Sequence, residues 1–157
     1  MIIEKNKGFT IAELLIVTGI IAILVAIAIP ILAEKLEMAR EINDVSNLRA
    51  FYSEACAAIL DGTLSETQRV ATLPCGRRAY ASFYDSGIYV KITGITFKQK
   101  DLTKWSIGAP NIAGFPLDIA SVPENYFNYI GYHFGSYPDG TVKLSGIVMG
   151  VDYHFSG

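Results

Sequence analysis

At 157 residues and a formal net charge of −2, the chain has room for one ordinary domain and a membrane segment but not for two domains. Beyond the first eight residues it is mildly acidic, which argues against nucleic-acid binding as a main activity, because phosphate recognition rests on Lys and Arg clusters. Hydrophobic residues make up 51%, and the excess is concentrated before residue 34.

The N-terminus carries Lys5 and Lys7, then Gly8, then a single carboxylate, Glu13, at the head of an apolar run. From Leu14 to Ala33 no residue is charged. At roughly 1.5 Å of rise per residue, a helix over this run spans a hydrocarbon core of about 30 Å. The lysines precede the run and no comparable basic cluster follows it closely, so the N-terminus is expected in the cytoplasm and everything after about Glu34 outside. An ordinary secretory signal has a shorter apolar core followed by a small-residue cleavage site. Here the small residue, Gly8, comes before the apolar run. Glu13 is costly in this setting, since an acidic residue at a membrane-helix centre is disfavoured by roughly 2.5–3.5 kcal/mol, less near an end.

The stretch Lys7-Gly8-Phe9-Thr10-Ile11-Ala12-Glu13-Leu14-Leu15 resembles the processing site of type IV pilins and pseudopilins. The matching pieces are the short basic leader, Gly8, the aromatic Phe9, the hydroxyl of Thr10 and Glu13; Pro30 falls where many family members carry a helix-kinking proline. Ile11-Ala12 departs mildly from the bulkier pairs often seen there. The resemblance implies a leader, 1–8, cut after Gly8 by a prepilin peptidase on the cytoplasmic side, and N-methylation of the new terminus, Phe9. It also implies that Glu13 pairs with the N-terminal amine of an adjacent subunit during assembly, and that the helix is loosened near Gly19 and Pro30. Its fold is α+β, a long N-terminal helix packed on an antiparallel sheet.

Read from the residues alone, the pattern is helical from Phe9 to about Asp61, with 9–33 in the membrane and 34–61 amphipathic. Gly19 weakens the helix by about 1 kcal/mol relative to Ala, and Pro30 is expected to kink it without ending it. Met38, Ile42, Val45, Leu48, Tyr52, Ala55, Cys56 and Ile59 form one apolar stripe. Glu34, Lys35, Glu37, Glu41, Asp44 and Arg49 fall largely off it. Asp61-Gly62 supplies the stop.

The extracytoplasmic head, 62–157, begins with a loop over 62–78 that includes one candidate helical turn near Ser65–Arg69. Cys56 and Cys75 both fall on the exported side, where an even count favours a disulfide; the alternative is two free thiols. Strands are predicted at Ala79–Tyr84, Ile88–Thr93, Ile95–Lys100, Tyr126–Phe134 and Thr141–Met149, with a further one at Val151–Phe155. Turns fall at Asp85-Ser86-Gly87 and Tyr137-Pro138-Asp139-Gly140, and 101–125 reads as irregular. A sheet packed on the second half of the helix follows, because each supplies the apolar face the other must bury.

No catalytic constellation emerges, so the chain does not read as an enzyme, and no cofactor or metal is implied. His133 and His154 lack a third ligand at usual spacing and read as sheet-surface residues. Asp139-Gly140 reads as a hairpin turn rather than a calcium loop. Arg77-Arg78, the one basic pair of the head, reads as a solvated loop against the alternative of a binding role. The aromatic crowd of Tyr126, Phe127, Tyr129, Tyr132, Phe134, Tyr137, Tyr153 and Phe155 reads as core and inter-subunit packing rather than a sugar-binding platform.

The expected function is a structural subunit of a type IV pilus. The alternatives are a pseudopilin of a type II secretion or DNA-uptake system, and a bitopic membrane protein with a ligand-binding outer domain. The partners implied are other pilin subunits, minor pilins among them, prepilin peptidase, the assembly machinery and, before assembly, the membrane. The chain would then move from the inner membrane to an extracellular filament.

Overall fold

The computed structural model describes residues 8–100, 104–108, 110–117, 128–136 and 142–150. One α-helix, α1 (Ile11–Leu60), is followed by strands β1 (Val70–Thr72), β2 (Arg78–Tyr84), β3 (Gly87–Thr93), β4 (Asn111–Ile112), β5 (Phe115–Pro116), β6 (Tyr129–Ser136) and β7 (Val142–Gly150). The architecture is α+β, with a five-stranded antiparallel sheet in the order β1-β2-β3-β6-β7 and a two-stranded ribbon of β4 and β5. The chain divides into two units, Met1–Glu37 and Met38–Gly157.

In the first unit every described residue from Gly8 to Leu36 is exposed, including Leu14, Leu15, Ile16, Ile23 and Leu32. A helical stretch with no buried stripe and almost no polar side chains has the surface that a membrane segment presents to lipid. It is long and apolar enough to cross a bilayer. Thr18 does not expose a bare hydroxyl, since its Oγ1 donates to the carbonyls of Leu14 and Leu15, both at 3.0 Å. The helix passes through Gly19 and Pro30 without a break.

In the second unit α1 buries Val45, Leu48, Phe51, Ala55 and Ala58. Leu48, Phe51, Ala55 and Ala58 share one core with Ala79 and Ala81 of β2, Val90 and Ile92 of β3, Ile130, Tyr132 and Phe134 of β6, and Leu144 and Met149 of β7. Ala55 and Ala58 of α1 and Ala79 and Ala81 of β2 are all buried, and Tyr132 of β6 is the largest fully buried side chain among the described residues. The Tyr132 hydroxyl donates to the Leu48 carbonyl at 2.7 Å, so a fully buried phenol is satisfied, and burial pushes its pKa far up. Tyr52 stacks on Phe134 and tilts against Tyr132. These aromatics pack in the core, as expected for Tyr132 and Phe134, whereas Tyr126, Phe127, Tyr137, Tyr153 and Phe155 lie outside the described residues.

The helix stops at Leu60. Gly62 takes the left-handed conformation at φ 78°, the Leu64 amide reaches back to the Ala58 carbonyl at 2.7 Å, and Asp61 Oδ1 accepts the Thr63 amide at 2.8 Å.

Four expectations need correction. The stripe includes Phe51 and excludes Ile42, which is 54% exposed. Glu41 and Asp44 lie on the buried side, each 2% exposed, where the sequence pattern left them off the stripe. Loop 62–78 contains a strand, β1, and Ser65 and Gln68 exchange backbone hydrogen bonds in a tight turn rather than starting a helix. Ile95–Lys100 is not a strand. Gly94 turns the chain at φ 75°, the Ile95 amide goes to Asn128, and the Lys98 and Gln99 amides are captured by Asp44. A ladder cannot form once a helix carboxylate has taken its donors.

Elsewhere the register follows the pattern, with β2 and β3 joined by a tight turn and Tyr84 opposite Gly87. Irregular segment 101–125 contains the small ribbon, whose turn residues Ala113 and Gly114 both have positive φ, as a two-residue hairpin of this hand requires. The expected strand Val151–Phe155 and turn 137–140 lie outside the described residues.

Candidate functional site

The segment Gly8–Glu13 opens α1. Gly8, Phe9 and Thr10 precede the helix and are exposed, Phe9 at 86%. Among the described residues a Cβ added to Gly8 would meet nothing within 4 Å, so their packing sets no requirement for glycine there. Whatever requires a small residue at this position lies outside the fold.

Thr10 and Glu13 form a reciprocal cap. Glu13 Oε2 accepts the Thr10 amide at 2.8 Å and the Thr10 hydroxyl at 2.9 Å, and the Glu13 amide donates to Thr10 Oγ1 at 3.2 Å. The Leu14 amide closes the first turn on the Thr10 carbonyl at 3.2 Å. This is a capping box, in which a hydroxyl residue and a Glu three positions on satisfy two otherwise orphaned donors. The carboxylate also sits where the helix dipole favours negative charge. Both acceptances fall on Oε2, and among the described residues Oε1 accepts none.

The cap changes how Glu13 is read. A carboxylate with no partner would bear the whole membrane penalty, whereas one that receives two hydrogen bonds offsets part of it. The Thr10-x-x-Glu13 spacing is the sequence signal for this role, and Thr10 is the residue that a reading based on charge alone leaves without a function.

The other candidate residues are dispersed. Gly19 lies within α1 with open space around a notional Cβ, and Pro30 also lies within the helix. The expected Cys56–Cys75 bridge is not made, and both thiols are free. Cys56 is half-buried and lines a small apolar cavity with Tyr52, Ile59, Leu60 and Phe134. Cys75 is exposed, its amide donating to Glu54 Oε2 at 3.1 Å. Residues 54 and 56 are two positions apart, roughly 200° around the helix, so anchoring Cys75 at Glu54 places it away from the Cys56 face. Burial pushes both thiols up, and Glu54 beside Cys75 pushes it further. His133 is exposed on the sheet and packs at a tilt of 35° against Tyr89, ring centroids 4.4 Å apart; His154 and Asp139 lie outside the described residues.

Residues 4–29 match the family described as the prokaryotic N-terminal methylation motif. The chain carries the type IV pilin and pseudopilin signature. No curated protein and no solved structure matches it. The matched stretch holds Gly8, Phe9, the capping box and α1 as far as Ile29, all of it exposed from Gly8 onward. Proteins with this signature are typically structural rather than enzymatic. The signature and the apolar helix together fit a membrane-anchored precursor.

Proposed function

We propose that this chain is a type IV pilus subunit, cut after Gly8 by prepilin peptidase, methylated on Phe9 and polymerised through the first half of α1. The observation that carries the reading is the methylation motif at 4–29, set on the first half of α1, where every described apolar side chain is exposed. In lipid those side chains are solvated by acyl chains, and in a filament they would pack against the same segment of other copies.

Cleavage leaves the Phe9–Thr10 peptide bond intact, so the Thr10 amide and hydroxyl keep their hold on Glu13. It also creates an α-amine one residue before the cap. Glu13 Oε1 is then the acceptor for an incoming subunit's amine, while Oε2 stays with Thr10. Attraction between the two charges is strong at low dielectric, so docking stabilises a carboxylate that the cap alone satisfies only in part. Gly19 fits the same process. It costs the isolated helix about 1 kcal/mol and serves no contact in the single chain, so it and Pro30 are the positions at which α1 would loosen on assembly.

The test is electron microscopy of sheared surface material from cells carrying wild-type or Glu13→Ala protein. Long fibres from the wild type and few from a membrane-resident, processed Glu13→Ala subunit are expected. Normal filament yield from the variant would rule out the pairing mechanism. Absence of long wild-type fibres, with processing intact, would transfer the reading to the pseudopilin alternative.

A further inference from the structure

A different part of the head has the makings of an anion site. Gly76, Arg77, Arg78, Thr93 and Gly94 line an open cavity of about 250 Å³ at the start of β2 and the end of β3. None of the five is acidic. Among the described residues neither Arg77 nor Arg78 makes an ion pair with a carboxylate. Asp44 lines a smaller neighbouring cavity with Arg77, but its oxygens accept the amides of Lys98 and Gln99 at 2.9–3.1 Å.

Among the described residues Arg77 is positioned by an aromatic ring and a glycine rather than by a carboxylate. Its Cζ lies 6.0 Å from the centroid of the Phe51 ring, and its Nη1 lies 3.3 Å from where a Cβ of Gly94 would stand. The guanidinium therefore rests against an aromatic ring and passes close over a bare glycine backbone that is left-handed at φ 75°. A guanidinium at the outer range of a cation–π contact is drawn toward the ring face and keeps its N–H donors for an oxyanion. Arg78 is exposed, and buried Thr93 also borders the cavity.

The geometry points to a phosphate-binding site at Arg77 and Arg78. Phosphate suits it better than a carboxylate because it carries more charge and three strong acceptor oxygens to set against several donors. The phosphate could be a free ion or a phosphodiester of a headgroup. This site is separate from Gly8–Glu13 and does not depend on the processing reaction.

The test is calorimetric titration of the full chain in detergent at constant ionic strength, with inorganic phosphate and with glycerophosphoglycerol as probes. Saturable binding of at least one probe in the millimolar range is expected. Preference for inorganic phosphate assigns the free ion, and preference for the diester assigns the headgroup source. Arg78→Gln, an exposed change that leaves the core intact, should weaken binding about tenfold, as should Arg77→Gln. Arg69→Gln, whose side chain lies outside the cavity, should bind as the wild type does. No saturable binding of either probe would overturn the site. Unchanged binding by Arg78→Gln, or equal weakening by Arg69→Gln, would do the same.

Discussion

Glu41 offers the sharpest test of how the head is held to its helix. It is 2% exposed, and Oε2 alone accepts the Ser106 amide at 2.9 Å, the Ser106 hydroxyl at 2.8 Å and the Ile107 amide at 3.1 Å. Replacing it with Ala strips three donors of their acceptor at once. A hydrogen bond to a charged group contributes about 1.5–3 kcal/mol, and a buried donor left unpaired costs about 1–3 kcal/mol. Ser106 is itself exposed, so water recovers part of the loss, and the expected destabilisation is about 3 kcal/mol. Glu41→Gln keeps an acceptor of the same shape and loses only the charge, for about 1 kcal/mol. The assay is urea unfolding of the full chain in detergent, followed by the emission of the single tryptophan, Trp105. It sits next to Ser106 and packs on the core. With a slope of about 1.5 kcal/mol per molar, Glu41→Ala should lower the midpoint by about 2 M and Glu41→Gln by well under 1 M. An unmoved midpoint for Glu41→Ala would refute the clamp, and an equal effect of both variants would show that charge rather than acceptance is what matters.

Other consequences can be checked separately. Thr10→Ala removes the hydroxyl half of the cap and should cost the helix start about 1 kcal/mol, seen as faster hydrogen exchange at the first-turn amides; unchanged exchange would discount the cap. Gly87→Ala should destabilise the head by about 3 kcal/mol, because Gly87 has φ 144° and an added Cβ would run into the Phe134 carbonyl; a wild-type melting curve would contradict that packing. Both cysteines should titrate as free thiols under denaturing, non-reducing conditions, and in the folded chain exposed Cys75 should label faster than half-buried Cys56. Because both thiols are pushed upward, the thiolate fraction at neutral pH is below that of an ordinary cysteine. Labelling should therefore accelerate into the alkaline range. An intramolecular disulfide would contradict the free-thiol arrangement.

Much of this fold is readable from its residues, and the exceptions share a cause. The apolar run Leu14–Ala33, the stop at Asp61-Gly62 and strands β2 and β3 follow from local pattern, since each depends on residues within a few positions of one another. Ile95–Lys100 has the β-branched and aromatic content of a strand, yet its amides belong to Asp44, more than fifty positions earlier in the chain. Glu41 and Asp44 look like solvated charges because a helical stripe is read through its apolar members. Burying them becomes favourable once the backbone amides of Lys98 and Gln99, and of Ser106 and Ile107, are brought to their oxygens. Phe51 joins the expected Tyr52 on the core side of the helix, with Arg77 over its ring. At the N-terminus the situation is reversed. The capping box is local and legible in Thr10-Ile11-Ala12-Glu13, and considering Glu13 only as a membrane charge hides it.

The central claim is that Gly8 is a cleavage position and Phe9 a mature terminus. Mass spectrometry of the N-terminal peptide from membranes of the native host tests it most directly. The account predicts a chain that begins at Phe9 with a methyl group on its amine, and an uncut precursor from Gly8→Ala. A wild-type chain that retains residues 1–8, or a Gly8→Ala chain processed to mature size, would contradict it.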